Sequence, residues 1–154
     1  MKYAAVIDTP IGMLTLVEED GALVEVRFGE CRSGAQPGES PVLTQAAQEL
    51  REYFDGKRRS FTVPLNPKGT PFQKRCWDAL LLIPYGQTRT YGQQAAMIGN
   101  PKACRAVGMG NHRNPLPVLI PCHRVVGAGG ALTGYAGGLN LKQKLLRIER
   151  MNGT

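Results

Sequence analysis

The sequence predicts an α+β protein of two parts, a small antiparallel-sheet lobe over residues 1–69 and a mostly helical lobe over residues 70–154. Three observations support this. β-rich runs punctuated by turn residues crowd the N-terminal end, two capping boxes open helices beyond residue 69, and the charge divides near the same point. Residues 1–70 hold 8 Lys/Arg against 10 Asp/Glu, a balance of −2, whereas residues 71–154 hold 11 against 2, a balance of +9, giving the net +7. Solubility explains a small excess of charge but not its segregation. The C-terminal part is therefore expected to meet a polyanion, nucleic acid foremost.

At 154 residues the chain can bury a core, and a hydrophobic fraction of 42% is ordinary for a globular protein. Asp8 and Pro10 interrupt the start before an apolar run of signal length develops, and nothing approaches the roughly 18 apolar residues of a membrane span. The chain is expected to be soluble and cytoplasmic, with no membrane partner.

Lys2–Ile7, Met13–Val17 and Leu23–Phe28 read as strands, separated by Thr9-Pro10-Ile11-Gly12 and Glu19-Asp20-Gly21. Cys31–Ser40, polar and bearing Gly, Ser and Pro, reads as a loop. Ser40-Pro41 opens a helix with Pro at its first position; Leu43, Ala46, Ala47, Leu50, Tyr53 and Phe54 keep helical spacing, and Gly56 ends it. A short strand is predicted over Phe61–Leu65, then a turn at Asn66-Pro67-Lys68-Gly69.

Thr70-Pro71-Phe72-Gln73 is a capping box, and the helix it opens puts Phe72, Cys76, Trp77, Leu80 and Leu81 on one face before stopping at Pro84-Tyr85-Gly86. That stripe is most simply core. Thr90-Tyr91-Gly92-Gln93 is a second capping box, opening a helix to about Ile98. Gly99-Asn100-Pro101 turns the chain into another, with Asn100 as N-cap and Pro101 at the first position, running to about Met109. The pair has the helix-turn-helix pattern, which many helical hairpins share without binding anything; the basic segment that follows strengthens it. On the second helix Ala103, Ala106 and Gly110 form a smooth stripe beside Lys102, Arg105 and Met109. Tight packing on another helix and a DNA-facing surface with Arg105 as the reaching side chain are both open. Leu116–Ile120 reads as a buried strand, Gly127–Gly138 as a Gly-rich loop, and about Leu139–Arg150 as a basic helix with Leu141, Leu145 and Ile148 inward.

The cysteines are Cys31, Cys76, Cys104 and Cys122; with no Cys-x-x-Cys pair and only His112 and His123, no metal site is expected. Cys31, Cys76 and Cys104 read as small buried hydrophobes. Cys122 stands beside His123 and Arg124, where a thiol can be held as a reactive thiolate. Adjacent residues of a strand point opposite ways, so adjacency alone does not pair Cys122 with His123, and a structural thiol stays open.

Pro121-Cys122-His123-Arg124-Val125-Val126 resembles the active-site signature of the O6-alkylguanine–DNA alkyltransferases, the methylated-DNA–protein-cysteine methyltransferases. Ile83-Pro84-Tyr85-Gly86, Thr90-Tyr91-Gly92, Arg105-Ala106-Val107-Gly108, Asn114-Pro115 and Thr133-Gly134-Tyr135-Ala136-Gly137-Gly138 resemble further family segments in the same order. The likeness runs from about Gly69 to Glu149; the N-terminal part shares only its layout and Thr9-Pro10-Ile11-Gly12.

The resemblance implies a ribonuclease-H-like N-terminal lobe and a winged-helix-like C-terminal lobe that carries the helix-turn-helix, binds DNA and takes the alkyl group. It implies single-turnover repair, in which Cys122 irreversibly accepts an alkyl group from O6 of guanine, and from O4 of thymine, after the base is flipped through the minor groove. Cys122 would be the nucleophile, His123 its base through a water, Glu149 the group orienting the imidazole, Asn114 the brace of the turn bearing Cys122, and Tyr91 the proton donor toward N3 of guanine. Arg105 would fill the gap in the duplex, with Tyr91, Lys102, Ala103, Ala106 and Arg113 on the DNA. Tyr135, Val125, Ala136 and Asn111 would line the base pocket. No cofactor is implied; the partner would be double-stranded DNA carrying O6-alkylguanine, met by a monomer, with cooperative loading left open.

Three other readings fit less well. A lesion-binding relative without chemistry lacks the acceptor cysteine, which is present here. A helix-turn-helix regulator needs dimer symmetry for paired half-sites, and no dimerisation segment is evident. A cysteine hydrolase leaves the basic half unexplained.

Overall fold

The computed structural model describes residues 1–135 and 137–152. The chain divides into two compact units, Met1–Lys68 and a second beginning at Gly69.

The first unit is built on strands β1 (Lys2–Thr9), β2 (Gly12–Glu19) and β3 (Ala22–Phe28), paired antiparallel in sequence. Asp20 and Gly21 both take positive φ, 53° and 81°. This is the two-residue hairpin geometry whose twist matches that of the flanking strands. Helix α1 (Pro41–Phe54) starts at Ser40, whose hydroxyl accepts from the Leu43 amide at 3.1 Å. It buries Leu43, Ala46, Leu50 and Tyr53 against the sheet, whose buried residues include Leu14, Leu16 and Leu23, while Val17 packs with Ala4 and Val24 in a separate cluster.

Two expectations for this unit change. The segment predicted as a loop contains a short strand, β4 (Gln36–Pro37), paired parallel to β1 at Tyr3 and Ala4, so the sheet order is β3-β2-β1-β4. The strand predicted over Phe61–Leu65 does not form; Leu65 makes only an isolated bridge to Leu23. Its donors are engaged elsewhere. The Thr62 and Val63 amides donate to the buried Glu49 carboxylate at 2.9 and 3.1 Å, and Pro64 has no N–H to give a ladder.

The second unit contains α2 (Pro71–Leu81), β5 (Arg89–Thr90), α3 (Tyr91–Met97), α4 (Cys104–His112), β6 (Val125–Val126) and α5 (Leu139–Asn152). Both capping boxes form, with reciprocal bonds between Thr70 and Gln73 and between Thr90 and Gln93. Helix α4 begins later than predicted. Pro101 and Lys102 lie in a turn closed by the Ala103 amide on Asn100 O, and Ala103 occupies the N-cap without a side-chain bond. Its far end runs to His112 because nothing at Met109 breaks it. Gly110 faces α2, where an added Cβ would come within 3.0 Å of Cys76 Sγ. Its carbonyl accepts the Trp77 indole N–H at 2.9 Å. That end of the small-residue stripe serves packing, while Arg105, Ala106 and Met109 remain exposed.

The predicted strand Leu116–Ile120 is a tight turn instead, closed by the Ile120 amide on Leu116 O at 2.9 Å. Pro115 and Pro117 cannot donate to a ladder, and Val118 takes φ 74°, a strained value for a β-branched residue. The nearest ladder is further on. β6 pairs parallel with β5, Arg89 opposite Val125 and Thr90 opposite Val126, which sets the chain after Cys122 alongside the start of α3.

Candidate active site

Cys122 begins a 3-10 turn, Cys122–Arg124, entered directly from the Val118 turn. Asn114 fixes that entry. Its amide nitrogen donates to Ile120 O at 2.9 Å, and its Oδ1 accepts the Leu116 amide at 2.9 Å. The 3-10 geometry disposes of the objection that neighbours on a strand diverge. Cys122 keeps partial solvent access, while His123 is fully buried behind it. The sulfur environment is nonetheless enclosed enough that burial raises the thiol pKa, opposed by the Asn114 side chain and the charge of Lys142.

Behind the cysteine lies a buried charge network. Glu149 of α5 accepts His123 Nε2 at 2.6 Å, and Arg124 donates to it twice, from Nε at 2.8 Å and from Nη2 at 3.0 Å. Arg124 Nη1 also donates to Ile83 O at 2.7 Å, and its guanidinium lies over the Tyr85 ring, 5.6 Å from the centroid. Burial works to raise the Glu149 carboxyl, but the hydrogen bonds from His123 and Arg124, together with the charge of the guanidinium, outweigh it and hold its pKa at about 2. Burial lowers the His123 pKa against the pull of Glu149, so the ring stands neutral and Arg124 is the counter-ion of the carboxylate. With Nε2 donating to Glu149, Nδ1 is the acceptor. It is buried and has no hydrogen-bond partner among the described residues. A neutral imidazole, oriented by a carboxylate and with a free basic nitrogen, is suited to take a proton from a nearby thiol.

The other expected site residues lie on α3, on β6 and on the loop after it. Tyr91, at the head of α3, has its hydroxyl 3.2 Å from Thr133 Oγ1, which donates to it. Tyr135 is 9% exposed, and burial together with the charges at Cys122 and Glu149 raises its phenol well above the ordinary range. Val125 is fully buried on β6. Ala136, expected in the base pocket, lies outside the described residues.

Helices α3 and α4 are joined by a buried amide pair. Gln94 Nε2 donates to Asn111 Oδ1 at 2.8 Å, Asn111 Nδ2 donates to Gln94 Oε1 at 2.7 Å, and Gln94 also reaches Cys76 O at 3.1 Å. The side-chain amide of Asn111, a residue expected in the base pocket, bonds to Gln94 in this joint. Lys102, Arg105, Ala106 and Arg113 are exposed and Ala103 is half-buried, so α4 and its ends offer cations to solvent. Of the three thiols expected to be buried, Cys76 is; Cys31 and Cys104 are exposed, Cys31 in the loop after β3 and Cys104 at the first turn of α4.

Two buried residues were given no role of their own by the sequence. Arg124 was legible only as part of the Cys122 motif, since one arginine in a basic segment reads as surface charge. Lys142 is fully buried, and its Nζ donates to Thr133 O at 2.7 Å. Its signal was its place one heptad before Glu149, on the same stripe of α5. Among the described residues no group of three or more His, Cys, Asp or Glu side chains could hold a metal ion, and no helix is long and apolar enough to cross a membrane.

Comparison with known proteins covers both units. The model of the 6-O-methylguanine DNA methyltransferase DNA-binding domain matches residues 71–151, and that of the family's ribonuclease-like domain matches residues 2–67. The chain is 45% identical to the constitutive methylated-DNA–protein-cysteine methyltransferase of Bacillus subtilis, over 99% of this chain and 98% of that protein. It is 47% identical to the methylated-DNA–protein-cysteine methyltransferase of Methanosarcina acetivorans, over 96% and 97%. The fold is similar to that of Mycobacterium tuberculosis O6-methylguanine methyltransferase, with TM-score 0.91 and 44% identity over 99% and 94% of the two chains. A crystal structure of Mycobacterium tuberculosis OGT in complex with DNA matches with TM-score 0.91 and 46% identity over 97% and 94%.

Proposed function

The chain belongs to the 6-O-methylguanine DNA methyltransferase family, and on that premise we propose that it repairs DNA by direct reversal, moving an alkyl group from O6 of guanine onto Cys122. The observation that carries the assignment to Cys122 is its partly exposed thiol directly before a buried His123–Glu149 pair.

In this reading the duplex is held by the unit that begins at Gly69, through the exposed cations of α4 and its ends. A thiolate cannot approach a stacked, paired guanine in line with the O6–alkyl bond, so the nucleotide leaves the stack. Arg105 fills the space it vacates, and the base lodges against Val125 and Tyr135. His123 Nδ1 takes the Cys122 proton through a bridging water, and Arg124 with Glu149 keeps the imidazole in the receptive tautomer. The thiolate attacks the alkyl carbon; the carbon–sulfur bond forms as the carbon–oxygen bond breaks. Tyr91 gives a proton toward N3, so that guanine leaves as a neutral base. O4-alkylthymine offers the same bond to the same nucleophile and is included as a second substrate.

The product is a thioether that no group in the site can cleave, so each molecule reacts once. The reading is of a monomer acting in the cytoplasm, where bacterial or archaeal DNA lies.

The test is the intact mass of the protein after mixing with a duplex that contains one O6-methylguanine, followed by peptide mapping. One added methyl on Cys122, saturating at one per protein, is the expected result. An unchanged mass with tight lesion binding retained would replace the transfer reading with lesion sensing.

A further inference from the structure

Helix α4 carries a large apolar side chain on its outer face, and the transfer chemistry above gives it no task. Met109 is 67% exposed. Single exposed apolar residues are common on protein surfaces, so exposure alone says little. What sets Met109 apart is its place. Arg105 stands four residues before it and Arg113, the C-cap, four residues after; both are exposed, as is Lys102 in the turn before the helix. Residues four apart share one face of a helix. No acid occurs from Lys102 to Arg113. The neighbours of Met109 on that face are small: Ala106 is exposed and Gly108 half-buried.

The same face adjoins the reacting site. A Cβ added at Gly108 would lie 3.7 and 3.8 Å from two ring carbons of Tyr91, the phenol read above as the proton donor. Cations that answer phosphates, small residues that let the backbone come close, and one projecting apolar chain together fit a duplex groove.

We propose that Met109 is a specificity-determining residue, an apolar wedge that enters the minor groove beside Arg105 and opens the base step next to the extruded nucleotide. The proposal rests on the reading that α4 meets the duplex. Four residues of α-helix rise about 6 Å, and base pairs stack about 3.4 Å apart. With Arg105 in the space of the extruded nucleotide, Met109 reaches the first intact step beyond the gap. An apolar side chain pressed into the minor groove partly unstacks a step and kinks the duplex. Methionine suits the task, being unbranched, flexible and polarizable. The cost of unstacking depends on the step: TA and CA steps yield readily, whereas A-tracts are stiff. Met109 therefore makes the flanking sequence part of what is recognised, and lesions beside a TA step are repaired faster than lesions in an A-tract.

The experiment uses the Cys122→Ala chain, in which transfer cannot consume the complex. The duplex holds one O6-methylguanine and, on each flank in turn, 2-aminopurine in the adjoining step, where unstacking raises its fluorescence. Met109→Ala and Met109→Gln, the second close in size but polar, are expected to remove most of the rise, and Met109→Leu to keep it. In chains that retain Cys122, the same two changes should slow single-turnover methyl transfer beside a TA step about tenfold, the scale of one buried apolar side chain. They should also bring TA-flanked and A-tract-flanked lesions to the same rate. The salt slope of DNA binding should not move, because no charge is lost, and the melting temperature should not move, because the side chain is exposed. An undiminished 2-aminopurine rise in Met109→Ala and Met109→Gln, or a flanking preference that survives both, overturns the proposal. Arg105→Ala, read with an analogue at the lesion itself, separates the two readings. If it responds and the Met109 variants do not, α4 meets the duplex and Met109 is no wedge; if neither responds, α4 is not the DNA face and both readings fall. Absence of methyl uptake by the unmodified protein removes the transfer reading and leaves the fluorescence to decide the wedge.

Discussion

Removing a single atom group from the buried network behind Cys122 has different consequences according to what it leaves behind. In Glu149→Gln the amide can still meet His123, but the Arg124 guanidinium loses its counter-charge in a buried site. Breaking such a pair costs about 3–5 kcal/mol. Thermal unfolding should show that loss, and methyl transfer should slow by about 10²-fold or more as the imidazole loses its orienting carboxylate. The acid limb of stability belongs to the same residues. Glu149 has a folded pKa of about 2, well below its unfolded value. Its contribution is therefore complete above the unfolded value of about 4.3 and is lost as pH falls from there toward the folded value. The scale is about 3 kcal/mol. The lowered pKa of His123 acts in the same direction, beginning earlier, as pH falls below about 6.5. Melting temperature should thus decline on acidification in two stages, and Glu149→Gln should flatten the lower one. A profile unchanged by Glu149→Gln would mean that the carboxyl is not ionised in the fold. Cys122→Ala touches none of these charges, so it should abolish transfer while leaving lesion affinity in a gel-shift assay within about threefold.

Among the elements, those whose signals are local could be read from sequence, and those fixed by distant partners could not. The capping boxes at Thr70 and Thr90 are complete within four residues, so the starts of α2 and α3 follow from sequence alone. The Leu116–Ile120 run is apolar enough for a strand, but Pro115, Pro117 and the positive φ of Val118 make it a turn, stapled by Asn114. Phe61–Leu65 loses its ladder to Glu49, a residue of α1 that no periodicity links to it. At the site, Cys122, His123 and Glu149 were legible through their motif and order, whereas Lys142 was not, because a lysine on a basic helix ordinarily faces water. The α3–α4 joint leads to a prediction at this scale. Asn111→Ala leaves the buried Gln94 amide short of a partner and should cost about 1–3 kcal/mol, read by denaturant unfolding. Gln94→Leu combined with Asn111→Leu should cost less than the two single changes added, because no orphaned amide remains. Strict additivity would show that the two side chains do not interact. On the outer face of α4, Arg105→Ala should weaken base extrusion, reported by a fluorescent base analogue placed opposite cytosine. An unchanged signal would remove Arg105 from the gap-filling role.

Taken as a whole, the chain concentrates its positive charge in one unit. Residues 71–154 carry 11 Lys/Arg and only Asp78 and Glu149 as acids, and Glu149 is buried against Arg124. The exposed surface of this unit is thus more one-sided than the composition suggests, since its acid nearest the site does not face solvent. A protein that neutralises phosphates displaces condensed counterions, so affinity for undamaged duplex should fall steeply with salt, log K declining linearly with log salt at about 0.9 per phosphate contact. Lys102→Ala and Arg113→Ala should each lower that slope by about one if they meet phosphate, and should weaken lesion and non-lesion DNA alike. Arg105 should behave differently: a side chain inside the duplex contributes to the difference between lesion and non-lesion affinity more than to the slope. The measurement is fluorescence anisotropy of labelled duplexes across a salt series, run on the unmodified chain and the three variants. A flat salt dependence would mean that the segregated charge serves something other than DNA. A steep slope left unchanged by Lys102→Ala and Arg113→Ala would move the binding face away from α4 and its ends.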